Sequence, residues 1–363
     1  MAAPVRMLSR MSFIASPLLS ALVLSSGLLW PNHALFLWLA VPSLVLAVVS
    51  SVHHAEVIAH KVGEPYGTLV LALAVTVIEV ALVLSMMLAG GAHAATVPRD
   101  TIYAAVMIIC NGVVGVCLLA GGLRHKEQLF RIEGTGSGLA ALVVMSTLVL
   151  VLPSLTTSAP GANYTASQLI FVAAGSLVLW LVFVFIQTVR HRDYFLPAQD
   201  VADEAVHAAP PSRHMAWLSF ALLMVALVAV VGLAKLLSPS LESLVRRWEA
   251  PPAVVGTLIA IIVLAPETWA AFRAAQANRL QTSMNLAIGS ALASIGLTIP
   301  LVVLAAVWLG LPLTLGLDPK DMALLALTFL VGSITLASGR TNLMQGAIHL
   351  VVFAAFLFLS FVP

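Results

Sequence analysis

Eleven long apolar runs dominate this chain, each about as long as an α-helix must be to cross a bilayer. They fall near residues 13–30, 33–55, 66–90, 101–121, 136–153, 167–189, 215–237, 253–272, 283–309, 321–338 and 344–362, with charges or Pro, Gly and Asn clusters between them. Barrel strands would alternate in polarity at every second residue, and these continuous runs do not. The expected fold is therefore an all-α polytopic membrane protein with about eleven transmembrane helices. Composition excludes the alternative of a water-soluble body. With 61% of residues hydrophobic and 9% charged, too little polar surface exists to cover one. The 17 Lys and Arg residues are spread over many short loops, so no patch for nucleic acid forms, and the expected surroundings are membrane lipid. Cys110 and Cys117 lie seven apart in one apolar run and read as small core hydrophobes.

Basic residues set the orientation. With the N-terminus inside, Arg6, Arg10, Lys61, Arg124, Lys126, Arg131, Arg190, Arg192, Arg213, Arg273, Arg279 and Arg340 are cytoplasmic. Only Arg99, Lys235, Arg246, Arg247 and Lys320 are then external, as the positive-inside rule requires. The C-terminus is expected outside. The first run is not read as a secretory signal, because its apolar part is long and Trp30-Pro31-Asn32-His33 is a poor cleavage site.

Two segments repeat. Gly67-Thr68-Leu69-Val70 precedes Glu79 in the third run, and Gly256-Thr257-Leu258-Ile259 precedes Glu267 in the eighth. Five crossings separate the copies, and an odd unit makes them enter the membrane from opposite sides, an arrangement that secondary transporters use for alternating access. The chain then divides into an extra N-terminal helix (1–32), a first five-helix repeat (33–190), an acidic cytoplasmic linker (191–213) and a second five-helix repeat (214–363).

Of 15 acidic residues, only Glu79 and Glu267 lie well inside apolar runs, at matching places in the repeat. A carboxylate at membrane depth costs several kcal/mol unless it is protonated, paired or wet, which makes it a functional candidate. The bland alternative is a neutral glutamic acid that only ties helices together. Two carboxylates can hold a hard cation through oxygen or take up protons, and they titrate as a coupled pair. Competition between the two cargoes is the minimum machinery of an antiporter. Pro266 removes a backbone donor beside Glu267 and frees a carbonyl near Ile262, while Thr76 lies three residues before Glu79 and offers a hydroxyl to the same face.

His53-His54-Ala55-Glu56-Val57, Gly63-Glu64-Pro65-Tyr66-Gly67-Thr68, Thr76-Val77-Ile78-Glu79-Val80 and the block from Ala275 to Pro300 together resemble the bacterial ChaA-type cation/proton antiporters of the calcium/cation antiporter superfamily. The similarity extends to Gly122-Leu123-Arg124-His125-Lys126-Glu127-Gln128 and to Gln345-Gly346-Ala347-Ile348-His349-Leu350, so it spans roughly residues 50–363. It implies a multi-pass protein of the bacterial inner membrane that exports Ca2+, Na+ or K+ in exchange for H+. By the same resemblance, Glu79 and Glu267 are the shared cation and proton ligands, with no further cofactor. Asn111 and Gly112 in the first half, and Ser283, Asn285, Gly289 and Ser290 in the second, match the polar wall of the cavity. Small-residue helix packing is the alternative for Gly112 and Gly289. The better-known calcium exchangers of the superfamily carry Gly-Asn-Ala/Thr-Glu before each key Glu. This chain has Val75-Thr76-Val77-Ile78-Glu79 and Leu264-Ala265-Pro266-Glu267, a less oxygen-rich setting that suits Na+ or K+ as well as Ca2+.

His53, Glu56 and His60 share one helix face at the expected cytoplasmic end of the second run, with Glu64 beside them. They read as a mouth or proton relay, or as a wet helix end. His349, in the last run, reads as a neutral hydrogen-bonded histidine. Two other classes of function stay open at this point: a passive cation channel, and an intramembrane metal-dependent enzyme built on the His53/Glu56/His60 face, which lacks an H-E-x-x-H motif.

Overall fold

The computed structural model describes residues 3–30, 34–63, 66–196, 211–247 and 253–362. The chain is mostly helical, and each apolar run falls on a helical segment. Among the described residues nine helices are long and apolar enough to cross a membrane, ten if one bent pair counts as a span, and the apolar stretch Phe13–Leu29 is shorter. Large apolar side chains such as Leu304, Ile334 and Val351 point outward. That surface is what a chain with lipid as its solvent presents.

The helices form two compact units. The first comprises Met1–Gly90 and Glu204–Trp248, with helices α1 (Ala3–Leu29), α2 (Ala34–Val62), α3 (Tyr66–Gly90) and α8 (Arg213–Arg247). Here α8 packs along α1, α2 and α3, with Ala55, Ala74 and Leu223 at a common core. The N-terminal helix is tied to α2 by polar and aromatic contacts. His54 Nε2 donates to the Phe13 carbonyl at 3.1 Å, and His53 stacks on the Phe13 ring at 3.8 Å.

The second unit comprises Gly91–Asp203 and Glu249–Pro363. Its helices are α4 (Val97–Met107), α5 (Val114–His125), α6 (Ile132–Ser146), α7 (Ala166–Phe185), α9 (Ala253–Gln276), α10 (Leu280–Gly296), α11 (Thr298–Leu309), α12 (Pro319–Ala337) and α13 (Leu343–Phe361). A wide turn over Ile108–Val113 joins α4 to α5, so that Val97–His125 runs as one span, the most deeply buried of all. Glycines let α5 and α13 close on each other: a Cβ on Gly346 would strike the Leu119 backbone, and one on Gly122 would strike Leu343. The first unit draws α8 from the second half of the sequence, so packing does not follow chain order.

The helix ends of this unit are sorted by their hydrogen bonds. At one end Gln128 Nε2 donates to the Ala275 carbonyl (2.9 Å) and to Asn278 (3.0 Å), a His125 ring nitrogen meets the Gln276 carbonyl (2.9 Å), and Gln281 accepts from the Arg131 amide (2.6 Å). Strands β1 (Glu127–Leu129) and β2 (Arg340–Asn342) pair there antiparallel, with Gln128 opposite Thr341. This three-residue ribbon is a departure from the all-helical expectation. At the other end Arg99 donates to the Gly316 carbonyl (2.9 Å), Ser154 to Leu317 (2.8 Å) and Lys320 to Leu359 (2.9 Å). Arg124, Lys126, Arg131, Arg273, Arg279 and Arg340 therefore belong to one end, and Arg99 and Lys320 to the other.

Candidate functional site

Glu267 sits two-thirds of the way along α9, where the sequence puts Pro266 in a helix interior. A proline there removes the bond to the carbonyl four residues back and clashes with the preceding turn, which bends the helix. The halves Gly256–Ala265 and Glu267–Gln276 meet at 52°. Thr268 next door donates its hydroxyl to the Leu264 carbonyl at 2.7 Å. The Glu267 carboxylate is half-buried and accepts a hydrogen bond from Ser290 Oγ on α10 at 2.6 Å. That bond fixes one carboxylate oxygen in place.

Ser290 has Gly289 beside it, and a Cβ on Gly289 would meet no atom within 4 Å. Gly289 is thus an open position. Gly112 is the reverse: a Cβ there would press on the Phe353 ring at 3.2 Å, which makes it a packing glycine. Ser283 on α10 is fully buried. Asn285 spans α10 and the segment after α7, donating to the Phe195 carbonyl at 2.6 Å and accepting from Gln281 at 2.9 Å. Asn111 lies in the wide turn and spends its amide on Thr328 (2.9 Å) and on His349 (3.3 Å).

Glu79 is placed near the middle of α3 and is buried. Thr76 is buried on the same face three residues earlier, whereas Leu73 and Val77 are exposed. In α2, His53 is half-covered by Phe13 while Glu56 and His60 are exposed. Among the described residues no three His, Cys, Asp or Glu side chains converge in a way that would hold a metal ion. Glu64 lies outside the described residues, as does most of the acidic linker, 197–210.

Reasoning from sequence passed over Thr328 and Thr335, the buried partners of Asn111 and His349. Their spacing of seven on α12 was the available signal, because it puts two hydroxyls on one helix face. Gln281 and Asn278 were also missed as loop fasteners; polar residues at a helix end give no distinct pattern.

The pattern of the sodium/calcium exchanger protein family matches the chain twice, over residues 32–189 and 218–362. A protein of Sinorhizobium fredii named for ionic transport, y4hA, is 49% identical over 87% of this chain and 86% of its own length. The sodium-potassium/proton antiporter ChaA of Escherichia coli is 38% identical over 89% of this chain and 88% of its own. Among solved structures, native YfkE superposes with a TM-score of 0.73 at 16% identity, covering 97% of this chain and 100% of that one. At that identity the likeness concerns the fold. The chain belongs to the sodium/calcium exchanger protein family.

Proposed function

We propose that this protein is a secondary cation/proton antiporter of the bacterial inner membrane, a transporter and not an enzyme, which exports Ca2+, Na+ or K+ in exchange for external H+. In this reading the chain crosses eleven times, as one extra helix and two inverted five-helix repeats, with its N-terminus in the cytoplasm and its C-terminus outside. Glu79 and Glu267 are the ligands that hold the cation and the protons by turns. Relatives over nearly the whole chain support the activity, and the double match of the family pattern supports the repeat.

The observation that carries the site is the Glu267–Ser290 bond at a proline bend. Ser290 orients the carboxylate, and the bend interrupts the helix so that backbone oxygen can add to a hard-cation shell. Thr76 offers the corresponding oxygen beside Glu79. Each carboxylate binds a metal cation only when it has lost its proton, so uptake of one cargo expels the other. That obligatory swap distinguishes an exchanger from a channel.

The test is cation-driven proton movement in everted vesicles or proteoliposomes, with Ca2+, Na+ and K+ added separately. At least one cation dissipates an imposed pH gradient in the parent protein, while Glu79→Gln and Glu267→Gln insert normally and do not. Full exchange in both variants would remove the two-glutamate mechanism, and cation flux without proton counterflow would make the protein a channel.

A further inference from the structure

Asn111, which the family resemblance assigns to the cavity wall, belongs in the second unit to a buried polar chain. Asn111, Thr328, Thr335 and His349 are all at most 3% exposed and come from the wide turn Ile108–Val113, α12 and α13. Their hydrogen bonds run in one direction only. Thr328 donates its hydroxyl to the Leu324 carbonyl at 2.8 Å, so its oxygen receives the Asn111 Nδ2 proton at 2.9 Å. The Asn111 amide is thereby oriented, and its Oδ1 faces His349 Nδ1 at 3.3 Å. An amide oxygen only accepts, so Nδ1 carries the imidazole proton. In the neutral ring Nε2 is then an acceptor, and it takes the Thr335 hydroxyl proton at 3.1 Å. Every member is satisfied in a setting where an orphaned polar group is costly.

This chain ends on the one turn that links α4 to α5. The Cys110 carbonyl of the same turn is also within reach of the His349 imidazole. The turn packs against α9 and α10 as well as against α12 and α13. A turn widened to hold an extra residue has no regular helical register, so its position depends on what grips it.

We propose that His349 is a positioning residue for the ion site: through Asn111 it holds the wide turn Ile108–Val113 against α9 and α10, the helices that carry Glu267 and Ser290. The inference rests on Glu267 being an ion ligand. His349 itself touches neither cation nor carboxylate. Its loss acts by letting the turn, and with it the spacing of Glu267 and Ser290, relax.

The test compares the parent, His349→Leu, His349→Gln, Thr335→Val and Glu267→Gln in proteoliposomes, reading the cation half-saturation separately from the maximal rate. Leucine fills the space but orphans Asn111 Oδ1 and the Thr335 hydroxyl, and half-saturation rises by about tenfold. Glutamine supplies one donor and one acceptor and stays within about twofold of the parent; Thr335→Val rises by about threefold. A parent-like half-saturation in His349→Leu, or equal impairment of the Leu and Gln variants, would overturn the positioning role. Should the Leu variant fail to insert, Thr335→Val decides, and parent-like behaviour there has the same consequence. Glu267→Gln separates the two levels. Exchange surviving in that variant removes the ion site itself, whereas its loss beside a normal His349→Leu removes only the positioning role.

Discussion

The helices that carry Glu79 and Glu267 share a sequence pattern and differ in their surroundings. α3 runs unbroken from Tyr66 to Gly90 and buries Glu79 on the face it shares with Thr76. α9 is bent by 52° where Pro266 stands, and Glu267 is half-exposed with Ser290 at 2.6 Å. Sequence symmetry at the level of a carboxylate therefore does not carry over to its environment. The residue one place before the Glu, isoleucine in one copy and proline in the other, is enough to give the two helices different shapes. The bent helix presents its carboxylate where Pro266 interrupts the helical bonding, and the straight helix keeps its carboxylate inside.

The largest effects come from equalising the two sites by charge. Glu79→Gln and Glu267→Gln each abolish exchange, measured as cation-driven pH change, and the double variant is no worse than either alone because the residues act as a unit. An exchange rate left intact in one of the two would break the equivalence that the repeat suggests. Next in size is Ser290→Ala. It deletes a hydrogen bond to a charged group, a loss of about 1.5–3 kcal/mol, and the cation half-saturation rises by about tenfold or more. Thr76→Val, the corresponding change beside Glu79, is expected to raise it less than Ser290→Ala does, a ranking that one dose-response series in each variant checks.

Pro266→Ala tests the bend itself. A proline in a helix interior is about 3 kcal/mol less favourable than alanine, so the variant gains thermal stability in detergent. Its α9 straightens toward the shape of α3, and exchange falls severalfold. The smallest effects lie on the helices that follow the two glutamates. Gly289→Ala enters open space in the interior of α10 and gains no more than about 1 kcal/mol of stability from helix propensity. Gly112→Ala presses on Phe353 and costs about 1 kcal/mol, read as a lower unfolding temperature.

Much of this was legible in the chain, for identifiable reasons. Hydropathy marks helices in a lipid solvent because an apolar run has few other structures open to it, and each of the eleven runs falls on a helical segment. Glu79 and Glu267 stood out because an intramembrane carboxylate is expensive. Proline at 266 announced the bend in α9. What hydropathy does not encode is which polar side chains meet across the fold. Asn111 is 217 positions from Thr328 and 238 from His349, and nothing local to Asn111 distinguishes a cavity residue from a member of a buried network. The ribbon of β1 and β2 was equally silent, since three residues are too few to show an alternation. Gly112 and Gly289 read alike in sequence and part only when Phe353 is seen against the first.

The central claim is that cation and protons compete for the same carboxylates. The most direct measurement is the number of protons released when the purified protein binds Ca2+, Na+ or K+ in weakly buffered detergent solution. Competition predicts release with at least one cation, an apparent affinity that weakens by up to about tenfold per pH unit lowered for each proton displaced, and no release from Glu267→Gln. Cation binding with no release of protons, or release that Glu267→Gln leaves unchanged, would contradict it.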